Sequence, residues 1–262
     1  MIFERTGFTV NTYPYYDDAT GGLKFDAMLD ALRLIPKRSI VVLHACCHNP
    51  TGVDLSAEQW QQVVGLIKER NLIPFLDMAY QGFAEGIEPD GAAVRLFAES
   101  GLPFFVSSSF SKSFSLYGER VGALSIVTTG KEEAQRVMSQ VKRVIRTNYS
   151  NPPTHGGTVV ATVLNSPELR AMWEQELGEM RDRIKLMRHA LVDKLAAKGV
   201  PGDFSFVKSQ RGMFSYSGLN SAQVDVLRNE HGIYAVGTGR ICVAALNSRN
   251  IDAVVNAIAA VL

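Results

Sequence analysis

Through residue 165 the chain alternates short, continuous apolar runs with longer stretches of helical periodicity. Residues 39–47 (SIVVLHACC), 72–76 and 104–106 are apolar without polar alternation, as expected of strands buried on both faces of a parallel sheet. Residues 121–127 read as a further apolar strand and residues 7–13 as a short one, followed by a loop over 13–18. Helical patterns cover residues 26–34, ended by Pro36, and residues 91–100, while 131–146 is amphipathic and rich in basic side chains. Ser56 opens a helix in which Gln59 completes a capping box. Residues 154–164 are small and apolar, the composition of a buried helix. Ser166 then caps a long helix with Pro167 at its first position, running to Lys198. Beyond the turn at 199–202 the elements shorten. Strands are expected at 204–207, 213–217, 233–236 and 240–244, and helices at 221–230 and 250–262. The alternation predicts an α/β fold, a mostly parallel sheet covered by helices over residues 1–165. A smaller α+β domain over 166–262 includes the long linking helix.

In such sheets functional groups collect beyond the C-terminal ends of the strands. Three predicted strand ends carry unusual polar groups: Asn49, Asp77 with Tyr80, and Ser109 with Lys112. Asn49 lies in the tight turn His48-Asn49-Pro50-Thr51-Gly52, where turn formation alone accounts for it. The richest stretch is residues 104–124, FFVSSSFSKSFSLYGERVGAL. Its serines surround one lysine, and Arg120 follows closely. Hydroxyls, backbone N–H groups and a forked guanidinium suit a phosphate-bearing ligand. A lysine held beside that site is a candidate amine nucleophile toward a carbonyl. The bland alternative is a solvated lysine in a serine-rich loop, which the flanking apolar strands disfavour. A rival is the S-x-x-K motif of penicillin-recognising serine enzymes, here Ser109 to Lys112, with Tyr149-Ser150-Asn151 as a second partial match. No K-T-G follows.

Composition narrows the class. The 262 residues are 46% hydrophobic and 20% charged, ordinary for a globular protein with a substantial core. A formal net charge of +1 argues against a nucleic-acid surface. No apolar run reaches membrane-spanning length, and the first ten residues lack a signal peptide's apolar core, so a cytoplasmic enzyme is expected. The three cysteines form no disulfide framework. His44, Cys46, Cys47 and His48 lie too close in sequence for the usual metal-ligand spacing, and no metal is expected. Buried structural cysteines are the simpler reading.

Five motifs occur in one order: HNPTG at 48–52, DMAYQGF at 77–83, SFSKSFSLYGER at 109–120, RTNYSNPPTHG at 146–156 and GR at 239–240. Together they resemble the aspartate and aromatic-amino-acid branch of the class I pyridoxal-phosphate aminotransferases, over nearly the whole chain. The resemblance implies the type I fold of pyridoxal-phosphate transferases and a task for each motif. Lys112 would hold pyridoxal phosphate as a Schiff base and move the substrate's α-proton. Asp77 would pair with the pyridine nitrogen and keep it protonated; otherwise it is a turn cap. Tyr80 and Asn49 would bond the cofactor's phenolic oxygen, and Ser109, Ser111 and Arg120 its phosphate. His44 would stand behind Asp77 or be a satisfied core histidine. Arg240 would grip the substrate α-carboxylate, with Asn49 beside it. Arg146 would reach a partner subunit's site for a distal carboxylate, and Ser150 the partner's phosphate. Alternatively Lys142, Arg143 and Arg146 form a solvated basic face. A homodimer is implied, acting on amino acids and 2-oxo acids.

The family's N-terminal arm, upstream phosphate loop, stacking tryptophan and upstream tyrosine have no counterpart in this sequence. Trp60 and Trp173 are expected on helices away from the motifs. The chain therefore reads as the family's C-terminal two-thirds: a gene fragment, a trimmed chain or the product of an alternative start. Three functions follow from these residues. The first is transfer of an amino group from aspartate, tyrosine or phenylalanine to 2-oxoglutarate. The second is a truncated, non-catalytic paralogue that keeps the fold. The third is a serine acyl-transferase using Ser109 and Lys112.

Overall fold

The computed structural model describes residues 2–262. A one-turn helix, Ile2–Arg5 (α1), leads into an extended segment without ladder partners, not the strand expected over 7–13. Side chains dock it instead: the hydroxyls of Tyr13 and Tyr15 donate to the carbonyls of Val42 and Val53 at 2.7 and 2.8 Å. The first strands are a small hairpin, Tyr16–Asp17 (β1) and Gly22–Leu23 (β2). Helix α2 (Phe25–Leu34) follows and buries Met28, Leu29 and Leu32.

The central sheet has the order β3 (Ile40–His44), β4 (Ile73–Met78), β5 (Phe104–Ser109), β6 (Gly122–Val127). The first three strands are parallel and β6 is antiparallel to β5. Helix α3 (Ala57–Arg70) crosses between β3 and β4, with the Ser56–Gln59 capping box formed in both directions. Asn71 closes it in the left-handed conformation. Between β4 and β5 come a single turn, α4 (Ile87–Asp90), and α5 (Ala92–Glu99). One face of the sheet is the main core, where Val41, Leu43, Leu76, Phe104 and Val106 pack with Trp60, Ile67 and Phe97.

After β6, α6 (Lys131–Asn148) is amphipathic, yet none of its residues is buried. Met138 and Val144 stand 54% and 64% exposed, and Leu124 of β6 is 55% exposed. Helix α7 (Thr154–Asn165) was expected to be buried, but only Gly156 and Val160 are. Small apolar residues give period without saying what covers them. The long helix α8 (Pro167–Ala197) begins at its Ser166 cap, whose hydroxyl accepts from Leu169 N.

The remaining elements are α9 (Phe206–Ser209), β7 (Phe214–Tyr216), α10 (Ser221–His231), β8 (Arg240–Cys242), a 3-10 turn at Val243–Ala245 and α11 (Ile251–Val261). Besides the strand expected over 7–13, two more expected strands are absent. Residues 204–207 turn into α9 because Asp203 accepts from both the backbone and hydroxyl of Ser205, starting a helical turn. Residues 233–236 close the end of α10 past left-handed Gly232, with Ile233 N on Leu227 O, and form no ladder. Among the described residues no helix is long and apolar enough to cross a membrane.

Candidate active site

The register of the parallel strands sets the centre of the site. Asp77 stands opposite His44 on one neighbour and Ser107 on the other. The Ser107 hydroxyl donates to Asp77 Oδ1 at 3.0 Å, fixing the carboxylate on the less covered face of the sheet. Ser107 was not singled out in the sequence, where it is one of four similar serines. His44 is half-buried, and burial lowers its pKa against the opposing pull of Asp77. Its Nδ1 accepts the Asn49 backbone N–H at 3.4 Å, so it joins β3 to the next turn.

That turn, His48 to Gly52, contains a cis Asn49–Pro50 bond and is held from below by Asp54. The two Asp54 oxygens accept from Cys47 N and His48 N at 2.7 and 2.8 Å. Tyr15 stacks on His48 at 4.1 Å, and burial depresses the His48 pKa to about 3, leaving a neutral ring that bonds Thr51. Asn49 is thus presented on a rigid turn. Its Nδ2 donates to the Tyr80 hydroxyl at 3.1 Å, and its Oδ1 accepts from Arg240 at 3.0 Å. Burial raises the Tyr80 pKa, while Asn49 and Arg240 pull the other way.

Lys112 sits on the turn after β5, with its Nζ 4.6 Å from the Tyr80 ring centroid. Partial burial lowers its pKa, Asp77 opposes that, and Arg120 adds to it. Ser111 is buried and its N–H donates to Ser109 Oγ at 3.3 Å, so the two serines share the Lys112 turn. Arg120 is exposed in a left-handed backbone conformation, and its guanidinium donates to Tyr117 O at 3.0 Å. It belongs to the same loop without bonding either serine. Lys112 lies over Tyr80, and Ser109 is engaged with a backbone amide, an arrangement unlike a serine nucleophile with its base.

Arg240 enters from β8. Its guanidinium lies 4.7 Å over the Phe214 ring, which itself meets Tyr80 edge-on at 6.0 Å. Phe214 looks like any core aromatic in the sequence; the cation above it is visible only in three dimensions. Trp173 corrects a second expectation. Far from being remote, it stacks on Phe114 at 4.5 Å, and its indole N–H donates to Ser113 O at 2.7 Å, bracing the lysine turn. Trp60 does lie away, edge-on to Phe97 in the core.

Arg146 and Ser150 are not brought to this cluster. They bond each other at the exposed C-terminal end of α6. Cys46 and Cys47 are buried and free, whereas Cys242 is exposed. The sulfurs of Cys46 and Cys47 and a carboxylate oxygen of Asp90 lie within 4.8 Å of one another. Asp90 is committed elsewhere, accepting from the backbone N–H groups of Gly82, Ala84, Glu85 and Gly86.

The donor set fits a phosphorylated, aldehyde-bearing pyridine. It offers a carboxylate for a ring nitrogen, a neutral amide and phenol for a ring oxygen, an amine of lowered pKa, and hydroxyls near a guanidinium. Comparison with known proteins agrees. The family described as aminotransferase class I and II matches residues 1–258. Aspartate aminotransferase of Pseudomonas aeruginosa is 67% identical over 261 residues, spanning 100% of this chain and 66% of the relative. Aromatic-amino-acid aminotransferase of Escherichia coli is 53% identical over the same shares of the two chains. Among solved structures, aromatic-amino-acid aminotransferase from Burkholderia pseudomallei, covalently bound to pyridoxal phosphate, aligns with TM-score 0.98 and 70% identity. That alignment covers 100% of this chain and 65% of the other.

Proposed function

The chain belongs to the class I and II aminotransferases, and from that premise we propose that it carries the catalytic half-site of a transaminase. The reaction moves the amino group of aspartate, tyrosine or phenylalanine to 2-oxoglutarate in two half-reactions. What supports this most is one convergence: Asp77, Lys112 and the Asn49–Tyr80–Arg240 chain meet at the ends of three strands and one small-domain strand. Pyridoxal phosphate, when bound, supplies an electron sink for the pair released from the substrate's α-carbon.

The residues divide the remaining work. Asp77 holds the pyridine nitrogen in its protonated form, and Ser107 keeps that carboxylate in line. Lys112 would hold the cofactor through its aldehyde group, and its amine, when free, would take the substrate's α-proton and return it. Its lowered pKa makes the neutral, proton-accepting amine available nearer neutrality than in a free lysine. Tyr80 and Asn49 bond the ring oxygen, and Ser109, Ser111 and Arg120 hold the phosphate. Arg240 grips the α-carboxylate from its seat on Phe214.

We assign residues 1–165 to cofactor binding and 166–262 to a smaller domain carrying Arg240. The full assembly is read as a cytoplasmic homodimer. The position of Arg146 and Ser150, outside the Lys112 cluster on an exposed helix, supports service to a partner subunit. Reductive trapping tests the core of the reading. Borohydride should fix pyridoxal phosphate to Lys112, seen as a labelled peptide by mass spectrometry. Label at another lysine, or acylation of Ser109 by a β-lactam, would overturn it.

A further inference from the structure

Arg188, on α8, is 1% exposed, and no carboxylate pairs with it among the described residues. Its guanidinium is spent on one segment. One terminal nitrogen donates to Val207 O at 3.2 Å and to the Ser215 hydroxyl, and the other to Gly212 O at 2.7 Å and Phe214 O at 2.8 Å. Three carbonyls and a hydroxyl spread over nine positions are thus gathered by one planar, charged fork. Burial disfavours this charge, and Cys47 and Asp54 offset it only from beyond ion-pair distance; a nonpolar side chain would fill the space at less expense. What it does for the site is a better explanation than stability.

The gathered segment is pressed from its other side by the HNPTG turn. Arg211 N donates to Gly52 O at 2.7 Å, and a side chain at Gly52 or Gly212 would strike Phe214 O at 2.7 Å or Cys47 at 2.5 Å. Between these two holds, the Phe214 ring has one position, under Arg240 and against Tyr80. We infer that Arg188 is a positioning residue for the carboxylate grip: it fixes the Phe214 platform and, through it, the orientation of the Arg240 guanidinium. This rests on the reading of Arg240 as the carboxylate-binding residue.

Two measurements on the purified chain, supplied with pyridoxal phosphate, test the inference. Succinate, a dicarboxylate without an amine, is titrated by calorimetry. The side-chain protons of Arg240, shifted upfield by the Phe214 ring, are followed by NMR. Arg188→Lys offers a charge without the fork and should weaken succinate binding by roughly tenfold, the loss of about one hydrogen bond's worth of orientation. The Arg240 protons should move toward their unshielded positions, and trapping of pyridoxal phosphate on Lys112 should stay unchanged. Ser215→Ala removes a single contact and should move both readouts in the same direction by a smaller amount; it carries the test if Arg188→Lys does not fold. Arg240→Ala is the reference. If it weakens succinate while Arg188→Lys and Ser215→Ala leave affinity within twofold and the Arg240 protons in place, the positioning role is overturned. If Arg240→Ala leaves succinate binding intact, the carboxylate-grip reading itself fails and takes the inference with it.

Discussion

A lysine that is to attack a carbonyl must lose its proton near neutral pH, and three neighbours decide when Lys112 does. Burial disfavours the ammonium most, Asp77 favours it, and Arg120 disfavours it. The sign of each variant follows. Asp77→Asn removes the favourable charge and should lower the Lys112 midpoint, extending trapping of pyridoxal phosphate to more acidic pH. Arg120→Ala should raise the midpoint, requiring more alkaline pH. The pH dependence of borohydride-trapped adduct checks both, and equal midpoints in all three proteins would remove the electrostatic coupling. Asp77→Asn should also nearly abolish transamination with an unchanged circular dichroism spectrum, since a neutral ring loses its electron-sink character. At this scale the residues proposed for the chemistry could be picked out as candidates, because most stand at a strand end in a short ordered motif. Ser107, Phe214 and Arg188 could not. Their roles come from a neighbour on another strand or helix, and nothing local distinguishes them from ordinary sheet, core and helix positions.

Elements depend on how their ends are satisfied. Asp90 is the clearest case, since one carboxylate accepts from four backbone amides, those of Gly82, Ala84, Glu85 and Gly86, in the turn after β4. Asp90→Ala should cost about 3 kcal/mol or more, because each buried donor left unpaired costs roughly 1–3 kcal/mol. Ser56→Ala, which opens an exposed capping box, should cost about 1 kcal/mol. Denaturant unfolding of the two variants measures the contrast; similar losses would contradict it. The caps at Ser56 and Ser166 could be read directly, since a hydroxyl, a glutamine or a proline at fixed offsets encodes them locally. The strands expected at 7–13, 204–207 and 233–236 failed for the opposite reason. A ladder needs a partner, and in each segment side-chain or turn hydrogen bonds take its place.

At the scale of the whole molecule the least covered region is formed by β6 and α6. Leu124, Met138, Val144 and Tyr149 are all more than half exposed there, an apolar surface of the kind that marks association. Met138→Lys combined with Val144→Glu should lower self-association in sedimentation velocity while changing unfolding free energy by less than about 0.5 kcal/mol. Arg146 lies at the end of the same helix. In the dimer proposed for this chain, Arg146→Ala should depress kcat/KM for aspartate far more than for phenylalanine, and equal losses would remove the distal-carboxylate role. Helix α8 adds a consequence of a different kind. Trp173 braces the lysine turn, Leu177 fills the space above Gly82 in the Tyr80 turn, and Arg188 gathers the Phe214 segment. Trp173 and Arg188 are separated by about 22 Å at 1.5 Å per residue. One inserted residue anywhere between them would swing one end about 100° around the axis, and a seven-residue insertion would restore the facing but part the ends by about 10 Å. Length in this interval is therefore heritable only as it stands, whereas the exposed turn at residues 199–203 is free to grow or shrink. A library of single-residue insertions, selected for function, should come back empty across 174–187 and populated just beyond the helix.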